Sequence, residues 1–307
     1  MQGQDHASLI SCVVLCVGIA AVSTASIFIR YAQAEAPALV IATYRLAIAS
    51  IVLLPVASLR YPIQARRLRT MEWKLAFASG IFLAIHFATW IASLEYTSVA
   101  SSVVLVSTSP LWVAITAWLL LGERLTRPAI AGLITALAGS LIITFSDAVQ
   151  PTGSAPLFGN VLALIGAFAV AGYWLIGRRL RANLSLVPYV TIVYSAAALV
   201  LFVTAIVTSQ PLVGYSSMTY VWFLLLALVP QLVGHSSFNW TLARLPATFV
   251  AVATLGEPIG ASVLAFFLLS ETPTILKTAG AALVLAGIAV TMLNQKSVRS
   301  IESTELL

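Results

Sequence analysis

Charge is what this sequence has least of. Of its 307 residues only 8% are charged, while 60% are hydrophobic. A soluble domain carries roughly a quarter charged residues, and a water-soluble fold of this length could not cover its surface with so few. Cysteine is nearly missing. Cys12 and Cys16 lie four apart in an apolar run, where thiols read as small packing residues and not as a disulfide. Nucleotide and hydrolytic motifs are lacking too. No G-x-x-x-x-G-K-[ST] loop occurs, which argues against ATP-driven pumping. Without an H-E-x-x-H or G-x-S-x-G signature, intramembrane hydrolysis has none of its usual machinery. The chain therefore reads as non-enzymatic, with no cofactor and no metal. No basic stretch precedes the first apolar run, so that run is expected to be a retained helix and not a cleaved signal.

What is present is a succession of apolar runs. They cover 9–30, 38–59, 73–94, 98–120, 128–146, 158–180, 188–208, 219–241, 247–269 and 275–293. About 18 apolar residues span the ~30 Å hydrocarbon core as a helix. Backbone polar groups in lipid must be satisfied within each segment, which demands helices, and the alternation of a barrel strand is missing. The net charge of +6 is explained by location and not by nucleic-acid binding. Ten spans with a cytoplasmic N-terminus place Arg60, Arg66, Arg67, Arg69, Lys74, Arg124, Arg127, Arg178, Arg179, Arg181, Arg244, Lys296 and Arg299 inside. Only Arg30 and Lys277 fall outside, and Arg45 lies within a span. This is a strong positive-inside bias, and it puts both termini in the cytoplasm.

The chain repeats itself. Pro110 and Pro258, Glu123 and Glu271, Thr126 and Thr274, Gly132 and Gly280, and Gly139 and Gly287 are each 148 apart, as are Gly18 and Gly166. His86 and His235 are 149 apart. Five helices per half is an odd number, so the second half enters from the opposite side. The expected fold is an all-α integral membrane protein: ten transmembrane helices as two inverted five-helix repeats, an architecture common in secondary transporters. The repeats are assigned to 1–147 and 158–293, joined by 148–157, with a tail at 294–307.

Leu121-Gly122-Glu123 followed by Gly132–Gly139, and Leu269-Ser270-Glu271 followed by Gly280–Gly287, resemble the two copies of the EamA repeat of the drug/metabolite transporter superfamily. Glu257-Pro258 is similar to a Glu-Pro often found there. Ser270 is a departure, because the family usually has Gly. Within the superfamily the chain is most similar to YddG-type exporters of aromatic and other amino acids. The resemblance implies a small-molecule substrate, a lipid environment and a bacterial inner membrane. A monomer is expected, with a dimer as the alternative.

Candidate site residues are polar or aromatic groups at bilayer depth, where a charge costs on the order of 2–3 kcal/mol or more. His86, Thr89 and Trp90 share one helix face. Gln231, His235, Phe238 and Asn239 form a similar stripe, and the repeat should bring the two histidine faces together along a central path. Each histidine could instead bond only a neighbouring helix. Trp112, Trp174 and Tyr44 are deep aromatics suited to stacking on a substrate or to plain packing, whereas Trp73, Trp118, Trp222 and Trp240 fall near interfaces. Arg45 could hold a carboxylate, snorkel or pair with a fixed acid. Glu257 could bind an amine, carry a proton or bond freed backbone. Pro110 and Pro258 should interrupt their helices near a gate. Glu123 and Glu271 read as helix staples. Gly132, Ala136 and Ser140, with Ala282 and Ala286, read as small-residue packing faces or a dimer surface. Three functions compete: amino-acid export by alternating access; proton-coupled export of cationic drugs, which the lack of an acid between Ser8 and Ile29 disfavours; and a non-transporting membrane enzyme or receptor, which the lack of catalytic motifs and of sizeable extramembrane domains disfavours.

Overall fold

The computed structural model describes residues 2–62, 68–121, 126–181, 184–241 and 254–302. Glu123 lies outside them, as do Arg66, Arg67, Arg124 and Arg244. All regular structure among the described residues is helical. Span 1 is Gln2–Ser23 continued by Ala25–Ala32, span 2 is Ala38–Arg60 and span 3 is Thr70–Tyr96. Span 4 is Val99–Val106 followed by Ser109–Leu121, span 5 is Arg127–Val149, span 6 is Pro156–Leu180 and span 7 is Leu186–Val207. Span 8 comprises Ser217–Leu226, a π-helix over Ala227–His235, and Ser236–Thr241. Span 9 is Gly256–Leu269 and span 10 is Ile275–Glu302. Eight spans are long and apolar enough to cross a membrane, and spans 9 and 10 contribute shorter apolar helices. The protein is an all-helical, multi-pass membrane protein.

The contacts follow the repeat. Span 3 packs on span 6 and span 8 on span 1, while spans 2 and 7, 4 and 9, and 5 and 10 pack on each other. A two-fold operation exchanging span n with span n+5 maps the first pair of contacts onto each other and each of the remaining three onto itself. Glycines fix equivalent seams. A Cβ on Gly18 would lie 2.9 Å from Ser237 Cβ in span 8, and one on Gly166 would lie 3.2 Å from Thr89 Oγ1 in span 3. The seam between spans 5 and 10 is closer still. A Cβ on Gly132 would stand 2.6 Å from the Gly287 carbonyl, and one on Gly139 2.6 Å from that of Gly280. Small residues permit such backbone approach where lipid offers no hydrophobic drive.

Two readings of helix faces need correction. Ala282 and Ala286 are exposed; span 10 meets span 5 through Gly280, Val284, Gly287 and Thr291 instead. Cys16 is exposed, because span 1 turns Leu15, Gly18 and Val22 inward against span 8. Trp222 is half-buried and stacks on Tyr31 at 5.0 Å and Phe28 at 5.7 Å. Trp73 and Trp118 do face outward.

The prolines mark starts of helix. Span 4 breaks at Ser107 and Thr108, and Pro110 sits in the first turn of the next segment. Pro258 occupies the first turn of span 9, after a turn at Thr254 and Leu255. Proline is tolerated there because the first N–H groups of a helix have no intrahelical partner. The interruption expected in span 4 is thus a full break, and Pro258 holds the equivalent first-turn position in span 9.

One end of the bundle is held shut by side chains. Here Glu95 accepts from Ala38 N at 3.0 Å, capping span 2. Glu271 accepts from Val99 N at 2.8 Å, capping span 4, and pairs with Arg30 at 3.0 Å. Glu35 accepts from Ser216 N at 2.9 Å and Thr219 Oγ1 at 2.8 Å, capping span 8. A carboxylate at a helix start satisfies orphan donors and complements the dipole. Arg30 and Gln33 also donate to the Leu94 and Ile91 carbonyls that finish span 3. Beside them Lys277 pairs with Asp147 at 2.6 Å, both side chains almost fully buried. A cleft of about 240 Å³ runs between these groups, lined by both cations and by Glu271 and Thr152. We call this end the latched face. Arg60, Arg69, Lys74, Arg127, Arg178, Arg179 and Arg181 lie toward the opposite end, at span termini.

Candidate functional site

The centre of the bundle is organised around Arg45. It lies seven residues into span 2, roughly 10 Å along the helix, and its side chain is fully buried. Nε donates to Gln231 Oε1 of span 8 at 2.8 Å. The guanidinium lies over the Phe87 ring of span 3, 4.2 Å from its centroid, with Trp90 at 5.8 Å. Cation–π contacts are worth on the order of 2 kcal/mol when desolvated, less than the several kcal/mol that removing such an ion from water costs. Nη1 and Nη2 find no hydrogen-bond partner, so four of the five guanidinium N–H donors are unspent.

Other unspent polar atoms gather there. Trp90 Nε1, Gln231 Nε2 and the Tyr194 hydroxyl are buried and unpartnered. Tyr194 and Glu257 both stand within electrostatic reach of Arg45. Glu257 makes no ion pair with it; the ion pairs among the described residues are Arg30–Glu271 and Lys277–Asp147. The cluster thus offers a concentration of N–H and O–H donors around one cation, with aromatic rings as walls.

The histidine faces meet here. His86 stacks on Trp90 at 5.8 Å and lies against Phe87 at 4.8 Å. His235 meets the same Phe87 edge-on at 5.9 Å, so one ring separates the two imidazoles. His86 Nδ1 bonds the Gly166 carbonyl of span 6 at 2.9 Å, which orients the ring. Thr89 turns back to the Ile85 and His86 carbonyls of its own helix, and Asn239 donates to the His235 carbonyl.

Of the remaining aromatics Phe238 keeps an edge-on contact with His235 at 6.4 Å, and the others disperse. Phe238 packs with Leu15 and Val22, and Trp174 leans on that group. Trp112 meets Phe168 edge-on at 5.7 Å and not the arginine. Tyr44 donates to the Leu212 carbonyl at 2.9 Å and stacks on Phe223 at 4.6 Å, which makes it part of an aromatic layer under the latched face.

Phe87 and Tyr194 were not singled out from the sequence. Tyr194 could have been found from the repeat, since it follows Arg45 by 149 residues, the separation of the two histidines. Phe87 carries no such signal; a phenylalanine among apolar residues looks like core.

A helical bundle crossing the membrane, with a polar and aromatic cluster at its centre and no extramembrane domain among the described residues, defines a membrane transporter. A family model described as the EamA-like transporter family matches residues 9–145 and again 157–293. The chain belongs to that family, within the drug/metabolite transporter superfamily. The second match begins and ends 148 residues after the first. An uncharacterized transporter of Archaeoglobus fulgidus is 23% identical over 71% of this chain and 74% of its own length. Another, YetK of Bacillus subtilis, is 25% identical over 66% of this chain, which spans 62% of that relative. A crystal structure matches with a TM-score of 0.66 at 19% identity, covering 94% of this chain and 98% of the other. That likeness concerns the fold.

Proposed function

We propose that the protein exports amino acids, aromatic and neutral ones foremost, across the bacterial inner membrane by alternating access. The single observation that carries this reading is the buried Arg45 cluster with unspent donors and aromatic walls, lying beneath a latched face. In the proposed orientation the termini and the basic end are cytoplasmic, in accord with the positive-inside rule, and the latched face is periplasmic. The state described is then closed to the outside. The break before Pro110 and the turn before Pro258 support a pair of elements that exchange roles between the two open states. The competing reading, export of cationic drugs, suffers from a fixed positive charge at the centre, which repels a cationic cargo.

Reconstitution tests the proposal. Proteoliposomes should exchange labelled phenylalanine, tryptophan or leucine, measured with and without a proton gradient. His86→Ala and Trp90→Ala should slow this flux without unfolding the protein. Absence of flux for every amino acid would overturn the reading, and normal flux in both variants would remove the histidine face from the path.

A further inference from the structure

The most unusual group in the molecule is a buried cation with nothing on its two terminal nitrogens. Lys277, the other buried cation among the described residues, is matched. Lys277 has Asp147, Thr152 and Ser98 as partners, and Asn160 donates to Asp147. Arg45 is 0% exposed, yet only Nε is bonded. A helical protein could have placed leucine there at no desolvation cost. Retaining an unpaired guanidinium makes physical sense if the missing anion arrives with the cargo.

The shape of the donor set says which anion. Nη1 and Nη2 form a planar fork whose spacing matches the two oxygens of a carboxylate. Phe87 covers the guanidinium at 4.2 Å, so an anion approaches in the plane of the fork and not above that face. Gln231 is held through its oxygen, which leaves Nε2 as a donor. Trp90 Nε1 and the Tyr194 hydroxyl, which lies near Gln231 and Tyr173, complete the donor set. Among the described residues Glu257 is the acid within electrostatic reach of Arg45.

We propose that Arg45 is the carboxylate-binding group of the cargo, and that a carboxylate, not merely an aromatic side chain, is the feature this transporter recognises. This rests on the transport reading above and sharpens it. The carboxylate docks on Nη1 and Nη2, with Gln231, Trp90 and Tyr194 as neighbouring donors. Glu257, within electrostatic reach of Arg45, is then the partner of an α-ammonium. An acid without an ammonium competes with Glu257 for the arginine, whereas a zwitterion satisfies both.

Binding and flux separate the two readings. Labelled 3-phenylpropionate, phenylalanine, phenylalaninamide and phenethylamine are offered to the purified full-length protein in detergent, and the same compounds are tested for flux in proteoliposomes. Phenylalanine and 3-phenylpropionate should bind; phenylalaninamide and phenethylamine should not. Arg45→Met should weaken both acids by about 10–100-fold, the loss of charge-assisted hydrogen bonds, without lowering the melting temperature, because an unpaired buried charge is removed. A purely structural arginine would give the opposite pattern, a lower melting temperature with unchanged binding. Should Arg45→Met fail to fold, Arg45→Lys keeps the charge and loses the fork, and a loss of at least about tenfold is expected there. Glu257→Gln should weaken phenylalanine and strengthen 3-phenylpropionate. Equal binding of phenylalanine and phenylalaninamide, or unchanged acid binding in the folded Arg45 variants, overturns the inference even if amino acids are transported. Arg45-dependent acid binding without flux of any compound leaves the inference standing and overturns the transport reading.

Discussion

Lys277 is the sharpest test of how the latched face is built. Its ammonium has three N–H donors, and three acceptors meet them: Asp147 Oδ1 at 2.6 Å, Thr152 Oγ1 at 2.7 Å and Ser98 Oγ at 3.1 Å. The two charged side chains are 2% and 0% exposed. Lys277→Met keeps the aliphatic stem and removes the charge. Asp147 then retains Asn160 and Thr152 as donors but has no counter-ion. Breaking a buried pair from one side costs about 3–5 kcal/mol, because a stranded charge is left behind. At about 2–4 °C per kcal/mol for a domain of comparable size, the melting temperature should fall by on the order of 10 °C. The double variant Asp147→Leu, Lys277→Met removes both charges and should recover much of that loss, since replacing a whole buried pair by apolar groups is often nearly neutral. Thermal melting of the three proteins in one detergent, followed by circular dichroism, decides the matter. A Lys277→Met protein melting within about 2 °C of the parent would refute the stranded-charge argument, as would a double variant less stable than the single one.

Three other outcomes are expected. Ser270 ends span 9 with φ 56°, a left-handed conformation that favours glycine, and Ser270→Gly should stabilise the protein by about 1 kcal/mol, read as a rise in melting temperature. Gly139→Ala would drive a Cβ to 2.6 Å from the Gly280 carbonyl and 2.7 Å from Val284 N. Both are backbone atoms, so the seam must part at a cost of about 1–3 kcal/mol; unchanged melting would show that span 10 shifts freely. The third concerns pH. The Ser216 N–H and then the Thr219 hydroxyl hold the Glu35 carboxyl below its ordinary range. A group depressed in the folded state stabilises it above the unfolded pKa and loses that contribution as pH falls through the folded pKa. Glu35→Gln should therefore melt below the parent at neutral pH and together with it in acid; an equal difference at both ends would refute the assignment.

Much of the architecture was legible because lipid is an undemanding reader. An apolar run of the right length has few alternatives to a helix, and nine of the ten expected spans begin within seven residues of a described helix. The proline pair stood out because the register of the repeat singled it from thirteen prolines. Facing directions were harder. On span 10, glycines and alanines occur on more than one side, so composition could not tell Gly280 and Gly287 from Ala282 and Ala286; only the partner helix decides. The π-helix at Ala227–His235 contains Pro230, a proline that the register of the repeat did not single out. Long-range matches such as Lys277 with Asp147, 130 residues apart in sequence, leave no trace in local pattern. The arginine, the histidines and Gln231 were visible as costly residues at depth, while Phe87 was hidden by its own ordinariness.

The short stretch from Arg30 to Glu35 has a mechanical consequence. Arg30 grips span 3 and the loop after span 9, Gln33 grips span 3 again, and Glu35 grips the start of span 8. Three neighbours are thus moored to one short hawser, and none can drift far while the others stay tied. Release of that end would be concerted, with several hydrogen bonds lost before any new ones form. A barrier of that kind is enthalpic, so turnover through this face should quicken steeply with warming, more like the parting of a knot than the sliding of a greased surface.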